Sequence, residues 1–136
     1  MSTMIKKRLA ELEGAQLDWA VAVMCGEYKR AHAHFPTMTL DSTFCGAFIV
    51  DRGSNKECWL KPNNPMRQDP QEFSPSTRWE HGGPIIERET SSHGHNMDRS
   101  VWAHCGCHLG EGKTLLIAAM RAFVACKLGD EVEVPA

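Results

Sequence analysis

The run Thr114-Leu-Leu-Ile-Ala-Ala-Met-Arg-Ala-Phe-Val-Ala-Cys-Lys-Leu-Gly-Asp-Glu-Val-Glu-Val-Pro135 spells out one helix with both ends marked, then a short acidic extended tail. Thr114 is a residue type that caps a helix N-terminus by accepting a backbone N–H of the first turn. Gly129 supplies the left-handed residue that commonly follows a helix C-terminus. Leu116, Ala119, Met120, Phe123 and Val124 recur at helical spacing, which makes one face apolar.

Upstream, Gly14–Glu27 reads as a second helix with Leu17, Ala20, Val21 and Met24 on one face and Trp19 off that stripe, marking a second contact. Residues 1–13 form a charged lead-in, partly helical, with 1–10 flexible. Thr43–Asp51, rich in aromatic and β-branched residues, is the clearest strand. Arg52-Gly-Ser-Asn reads as a turn and Glu57–Leu60 as the returning strand. His32–Asp41 is loop or extended chain interrupted by Pro36. Lys61–Pro75 carries Pro62, Pro65, Pro70 and Pro75 and reads as a long irregular connection, of the kind that is either functional or disordered. Ile85–Glu89 is a short strand candidate and Thr90–Ser100 a polar loop. No internal repeat or domain boundary appears. The expected architecture is a single α+β domain over residues 1–136: a small, mostly antiparallel sheet with two principal helices packed on one face.

At 136 residues the chain fits one modest core, and 42% apolar with 24% charged residues is ordinary for a globular protein. The formal net charge of −2 provides no bulk attraction to nucleic acid or an anionic membrane, although a local basic cluster can still take an anionic small molecule. Lys6, Lys7 and Arg8 lead into Glu11 and Glu13 rather than an apolar run, so no signal peptide is read. No stretch approaches the about 18 apolar residues that span a bilayer. Six cysteines without a secretory signal point to free thiols in a reducing cytoplasm.

The densest chemistry lies in Ser74-Pro-Ser-Thr-Arg-Trp-Glu-His-Gly-Gly-Pro-Ile-Ile-Glu-Arg-Glu89. A Gly-Gly-Pro turn lets backbone approach a ligand, and Trp79 offers a face for stacking on a base or sugar. Arg78 and Arg88 have the fork geometry that pairs with phosphate. Alternation would place Glu87 and Glu89 on one strand face, within reach of ribose hydroxyls. The blander alternative is a structural turn with Trp79 in the core and the charges solvated, and composition alone favours it.

Other motifs carry less. His104-Cys105-Gly106-Cys107-His108, with Cys58, His81, His93 and His95 elsewhere, invites a zinc reading. Zinc sites typically use ligand pairs two to four residues apart, and here one residue separates the cysteines, so no metal site is expected. Cys25, Cys45 and Cys126 sit among apolar neighbours and read as packing residues. Gly112-Lys113-Thr114 before a helix imitates a P-loop, but the first glycine is out of register and Val101–Cys105 is a poor strand. Lys113 still adds positive charge at a helix N-terminus, where anions bind well. No histidine–carboxylate set has the spacing of a hydrolase.

Three blocks carry a family resemblance: Glu11–Glu27 around Gly14-Ala15…Leu17-Asp18-Trp19-Ala20-Val21-Ala22, Ser74–Glu89, and Leu116–Pro135. In these blocks the chain resembles the NinX-like family of small tailed-phage proteins. Arg78 departs from the acidic residue associated with its slot, and His104–His108 lies outside the similar parts. The resemblance implies a tailed-phage accessory protein working in the cytoplasm of the infected bacterium. The expectation is a non-catalytic antagonist of a host defence that sequesters an anionic nucleotide-type signal without a cofactor. Its ligand would touch Ser76, Thr77, Arg78, Trp79, Gly82, Gly83, Glu87 and Arg88. The alternatives are an enzyme acting on a nucleotide, with Glu87, Glu89 and histidines as acid–base groups, or an inhibitor binding a host protein directly. A core this small often gains stability from self-association, so a homo-oligomer is expected.

Overall fold

The computed structural model of the protein describes residues 4–31, 44–51, 53, 55–62, 66 and 69–135. Among them are three α-helices and eight strands, and all strand pairing is antiparallel, so the architecture is α+β as expected. The pairing is divided among three small sheets, and a third helix joins the two anticipated ones.

The C-terminal helix α3 (Leu115–Leu128) is the centre of the core. Thr114 Oγ1 accepts the Ile117 N–H at 3.2 Å, and Gly129 closes the helix at φ +90° with its N–H on the Ala125 carbonyl. Burial goes beyond the single apolar face read from the sequence, because Ala118, Ala122 and Ala125 are enclosed along with Leu116, Ala119, Met120, Phe123 and Val124. These alanines admit a close neighbour. Strands β5 (Ser92–His95), β6 (Val101–Cys105) and β7 (His108–Gly112) form a sheet against the helix. Gly110 of β7 sits so tightly that a Cβ there would collide with the Ala118 carbonyl and the Ala122 amide. Helix α1 (Gly14–Ala31) also packs on α3, burying Leu17, Ala20 and Val21 as the spacing predicts, with Trp19 half-buried against the core.

The acidic tail is strand β8 (Glu131–Pro135), and its partner is β1 (Met4–Arg8), paired Ile5 to Val134 and Arg8 to Glu131. The lead-in is therefore a strand followed by a single 3-10 turn, Leu9–Glu11, which is its helical part. Its partner lies at the far end of the sequence, beyond the reach of local pattern. Strands β2 (Phe44–Asp51) and β3 (Lys56–Pro62) form the expected hairpin, with Gly53 at φ +83° and its N–H on Asp51 Oδ1. A two-residue strand β4 (Gln71–Glu72) extends that sheet, so part of the Pro-rich connection is ordered by pairing with β3. His32–Asp41, and the side chains of Met24, Cys25 and Cys45, lie outside the described residues.

Four local readings are corrected. Ile85–Glu89 is not a strand, because it forms the second half of helix α2 (Trp79–Glu89), which packs on α3. Gly82, Gly83 and Pro84 lie inside that helix and make no turn. A Cβ at Gly82 would strike the Pro75 carbonyl and Leu116, so the glycine is there for close approach, while Ile85 inserts into the core. Pro84 lacks the N–H that would meet the carbonyl four residues back, a cost that this tertiary packing outweighs. Within Thr90–Ser100, Ser92–His95 is strand β5 and not loop, and Val101–Cys105 is a regular strand with alternating burial. Trp102 spreads over Gly94 on the neighbouring strand, covering the position that a polar Ser-His-Gly-His string leaves bare. No helix among the described residues is long and apolar enough to cross a membrane.

Candidate functional site

The segment between β4 and α2 is held by a buried polar set. The Phe73 N–H bonds to the Cys58 carbonyl, and its ring stacks on His81 at 5.8 Å. The Ser74 N–H donates to His81 Nδ1 at 2.9 Å, which assigns the imidazole proton to Nε2. The Ser74 carbonyl accepts the N–H groups of Thr77 and Arg78, and Ser74 Oγ donates to Glu72. The Ser76 N–H donates to Asp18 Oδ1 of α1 at 2.8 Å. This last bond joins residues far apart in sequence and fixes where α2 begins.

The expected ligand residues divide between two sides of this frame. Ser76 and Gly82 face inward, one against Asp18 and the other against Pro75 and Leu116. Thr77, Arg78, Trp79 and Glu87 are exposed, Gly83 is half-exposed beside them, and Arg88 is half-buried farther along α2. Trp79 is 59% exposed, so it is not the core residue that composition favoured. Gly83 follows one helical turn later, and a Cβ there would meet the indole Cε3 at 3.4 Å. The indole thus rests over a position with no side chain, and most of its surface faces solvent. Helical geometry also separates Glu87 from Glu89: Glu87 is exposed, whereas the Glu89 side chain is largely buried, 4.0 Å from Lys127. The shared carboxylate face expected from strand alternation is therefore absent.

Arg78 is already occupied. Its Nε contacts Glu80 at 2.8 Å and Nη1 contacts Glu72 at 3.3 Å, and these carboxylates, Glu80 first, raise its pKa further. Glu72 is held below the usual carboxylate range, chiefly by the Ser74 hydroxyl and then by Arg78. Burial lowers the His81 pKa, with Arg78 adding to the effect. Asp18 moves the other way. Burial pushes its carboxyl up to about 7 and the nearby Glu72 adds to this, against the hydrogen bonds from Ser76. Sequence reading missed Asp18, Glu72 and His81. Asp18 did leave a signal: a carboxylate one and two positions from Leu17 and Ala20, three before Val21, on the apolar side of a helix.

The remaining motifs are separated by the fold. His104–His108 is the β6–β7 hairpin with Gly106 at φ +62° in its turn. His104 lies on the outer face beside Trp102, Cys105 is buried, and Cys107 is exposed at the turn. Burial pushes the Cys105 thiol up to about 12, with Cys126 adding to this, which describes an inert packing thiol. Among the described residues no three His, Cys, Asp or Glu side chains group around a point that could hold a metal. The Gly112-Lys113-Thr114 string follows a strand whose glycines are packing against α3, and Thr114 Oγ1 is used in capping that helix. Adjoining grooves of about 290 and 330 Å³ flank Arg121, and one of about 360 Å³ lies at the start of α1. None of the three is lined by an expected ligand residue.

The candidate site is thus an exposed indole on a small α+β protein, standing on a buried polar clamp. The chain belongs to the family described as Bacteriophage P22, NinX, whose family model matches residues 8–127. That match runs from the end of β1 to the last turn of α3 and includes all of α2. A comparison with curated proteins gave no match.

Proposed function

We propose that this phage protein is a non-catalytic accessory factor that antagonises a host defence in the cytoplasm of the infected cell by binding a host protein directly, with Trp79 as its anchor. The exposure of Trp79 carries this reading. A large aromatic held at 59% exposure on a fixed helix start costs apolar hydration, and such residues dominate protein–protein binding energy when a partner pocket covers them. Its surroundings favour a protein over a nucleotide-type anion. A phosphate approaching Arg78 would have to compete with Glu72 and Glu80, which already engage it. Carboxylates around an aromatic anchor instead suit a partner surface bearing Lys or Arg at its rim.

Sequestration of a nucleotide-type signal is the second reading. It is favoured by the exposure of the Trp79 indole, which offers a surface on which a base could stack. One experiment separates the two. A photo-crosslinking amino acid is placed at Thr77 in infected cells, and purified protein is screened by thermal shift against cyclic oligonucleotides and ADP-ribose derivatives. A discrete protein adduct that disappears in Trp79→Ala, without nucleotide stabilisation, is the expected result. Stabilisation by a nucleotide recovered intact, with no adduct, would replace the first reading by the second. Recovery of a converted nucleotide would make the protein an enzyme.

A further inference from the structure

We infer that the contact between Asp18 and the Ser76 amide is a proton-dependent latch on the segment that presents Trp79. The geometry is that of a single cross-chain tether. Asp18 is 4% exposed on α1, and its Oδ1 takes the Ser76 N–H at 2.8 Å. Three residues after Ser76, Trp79 opens α2. The latch is a property of the fold and stands whether or not Trp79 meets a protein. Its use in regulating binding rests on the function proposed above.

Burial and the neighbouring Glu72 disfavour a negative charge on Asp18, and the hydrogen bonds from Ser76 oppose them. From β3 comes Cys58, a buried thiol whose own ionisation is suppressed by burial and by Asp18. From β4 comes Glu72, whose carboxylate is shared by Ser74 Oγ and Arg78. From the start of α2 come Arg78, engaged by Glu72 and Glu80, and His81, whose Nδ1 is used as an acceptor by Ser74. No cation pairs with Asp18 across this set: Arg78 is directed to the two glutamates. A charged acceptor would strengthen the Ser76 bond taken alone. The net direction is nevertheless upward, to about 7, with that bond already included, so the cost of burying charge wins. Ionisation of Asp18 therefore favours states in which residues 74–78 lift and admit water.

His81 limits the latch from the acid side. A proton added at Nδ1 removes the acceptor for the Ser74 N–H, and burial holds the His81 pKa below its ordinary value. The segment is accordingly tightest in a window bounded below by His81 protonation and above by Asp18 ionisation.

Hydrogen exchange of the Ser76 amide tests this, with the same amide in Asp18→Asn, which keeps an acceptor oxygen without the charge, as the reference. From pH 6 to pH 8.5, after correction for intrinsic exchange, Ser76 protection should fall about tenfold more in the wild type than in Asp18→Asn, which is the population change expected for a group titrating near the middle of that interval. An equal change in the two proteins would overturn the latch. Carboxyl-carbon NMR of the wild type supplies a readout that needs no variant. An Asp18 titration near neutrality with a matching Ser76 amide shift supports the latch, whereas titration in the ordinary carboxylate range refutes it.

Discussion

Helices α2 and α3 are each seated through a glycine that allows close approach, and they are held in opposite ways. Gly110 brings β7 onto the α3 backbone, and the contact that follows is largely apolar, with Thr114 used as a cap and Arg121 donating to the Glu111 carbonyl. Gly82 brings α2 onto Pro75, but the entrance to that helix has no side-chain cap and instead depends on Asp18, Ser74, Ser76 and His81. Apolar burial contributes about 25 cal/mol per Å², whereas buried polar contacts contribute little net and mainly select one geometry. The two helices thus divide the labour: α3 supplies stability, and the entrance to α2 specifies where an exposed indole stands.

The largest expected effect is on the α3 side. Phe123 is 1% exposed, and Phe123→Ala should cost about 3–5 kcal/mol by denaturant unfolding, from lost burial and the cavity left behind. A cost below about 1 kcal/mol would mean that α3 is not the centre of the core.

Next come the two glycines, which break the comparison differently. Gly110→Ala and Gly82→Ala each drive a methyl into backbone and should cost about 1–3 kcal/mol or more. Only Gly82→Ala should also release the Ser76 amide to exchange, because moving Pro75 moves Ser76 off Asp18. Unchanged protection of Ser76 in that variant would show that the Gly82 contact and the clamp are separate.

Asp18→Asn sharpens the comparison through pH. The folded carboxyl titrates at about 7 against 3.8 for the ordinary group, so between these values the folded state keeps a proton that the unfolded chain has released. Its contribution therefore favours the folded state at low pH, declines as pH rises from about 4 to about 7, and is then level. At pH 8 the variant should be more stable than wild type, by at most on the order of 4 kcal/mol, with the two converging towards pH 4. His81 works in the other direction. With its folded pKa depressed, its contribution is complete above the ordinary histidine range and is lost as pH falls through the lowered folded value. Melting curves across pH for both proteins measure the difference, and a wild type less stable than Asp18→Asn at every pH by the same amount would refute the titration.

How much of this was legible follows the same division. Helix α3 could be read because its signals are local: Thr114, Gly129 and an apolar period between them. The β2–β3 hairpin was legible for the same reason, from Phe44–Asp51 and the glycine after it. Helix α2 was not, because Ile85-Ile86 imitates a strand and Gly-Gly-Pro a turn, and only the contact with Pro75 and Leu116 explains glycine at 82. Strand β1 depends on the opposite end of the chain, and β5 on Trp102. At the site, the sequence drew attention to the block that opens α2 and to the tryptophan that stands exposed on it. It could not show that Arg78 is engaged by two glutamates, or that Asp18 lies beneath Ser76, since both facts arise from long-range packing.

The smallest expected effect on stability belongs to the residue with the largest expected effect on function. Trp79→Ala removes an indole that is mostly in water, and its melting temperature should match the wild type. The decisive measurement is therefore the Thr77 crosslinking yield in infected cells with and without Trp79, alongside the melting temperature of the two purified proteins. Loss of the protein adduct at unchanged melting temperature is the expected result. An adduct of undiminished yield in Trp79→Ala would contradict the claim that Trp79 is the anchor.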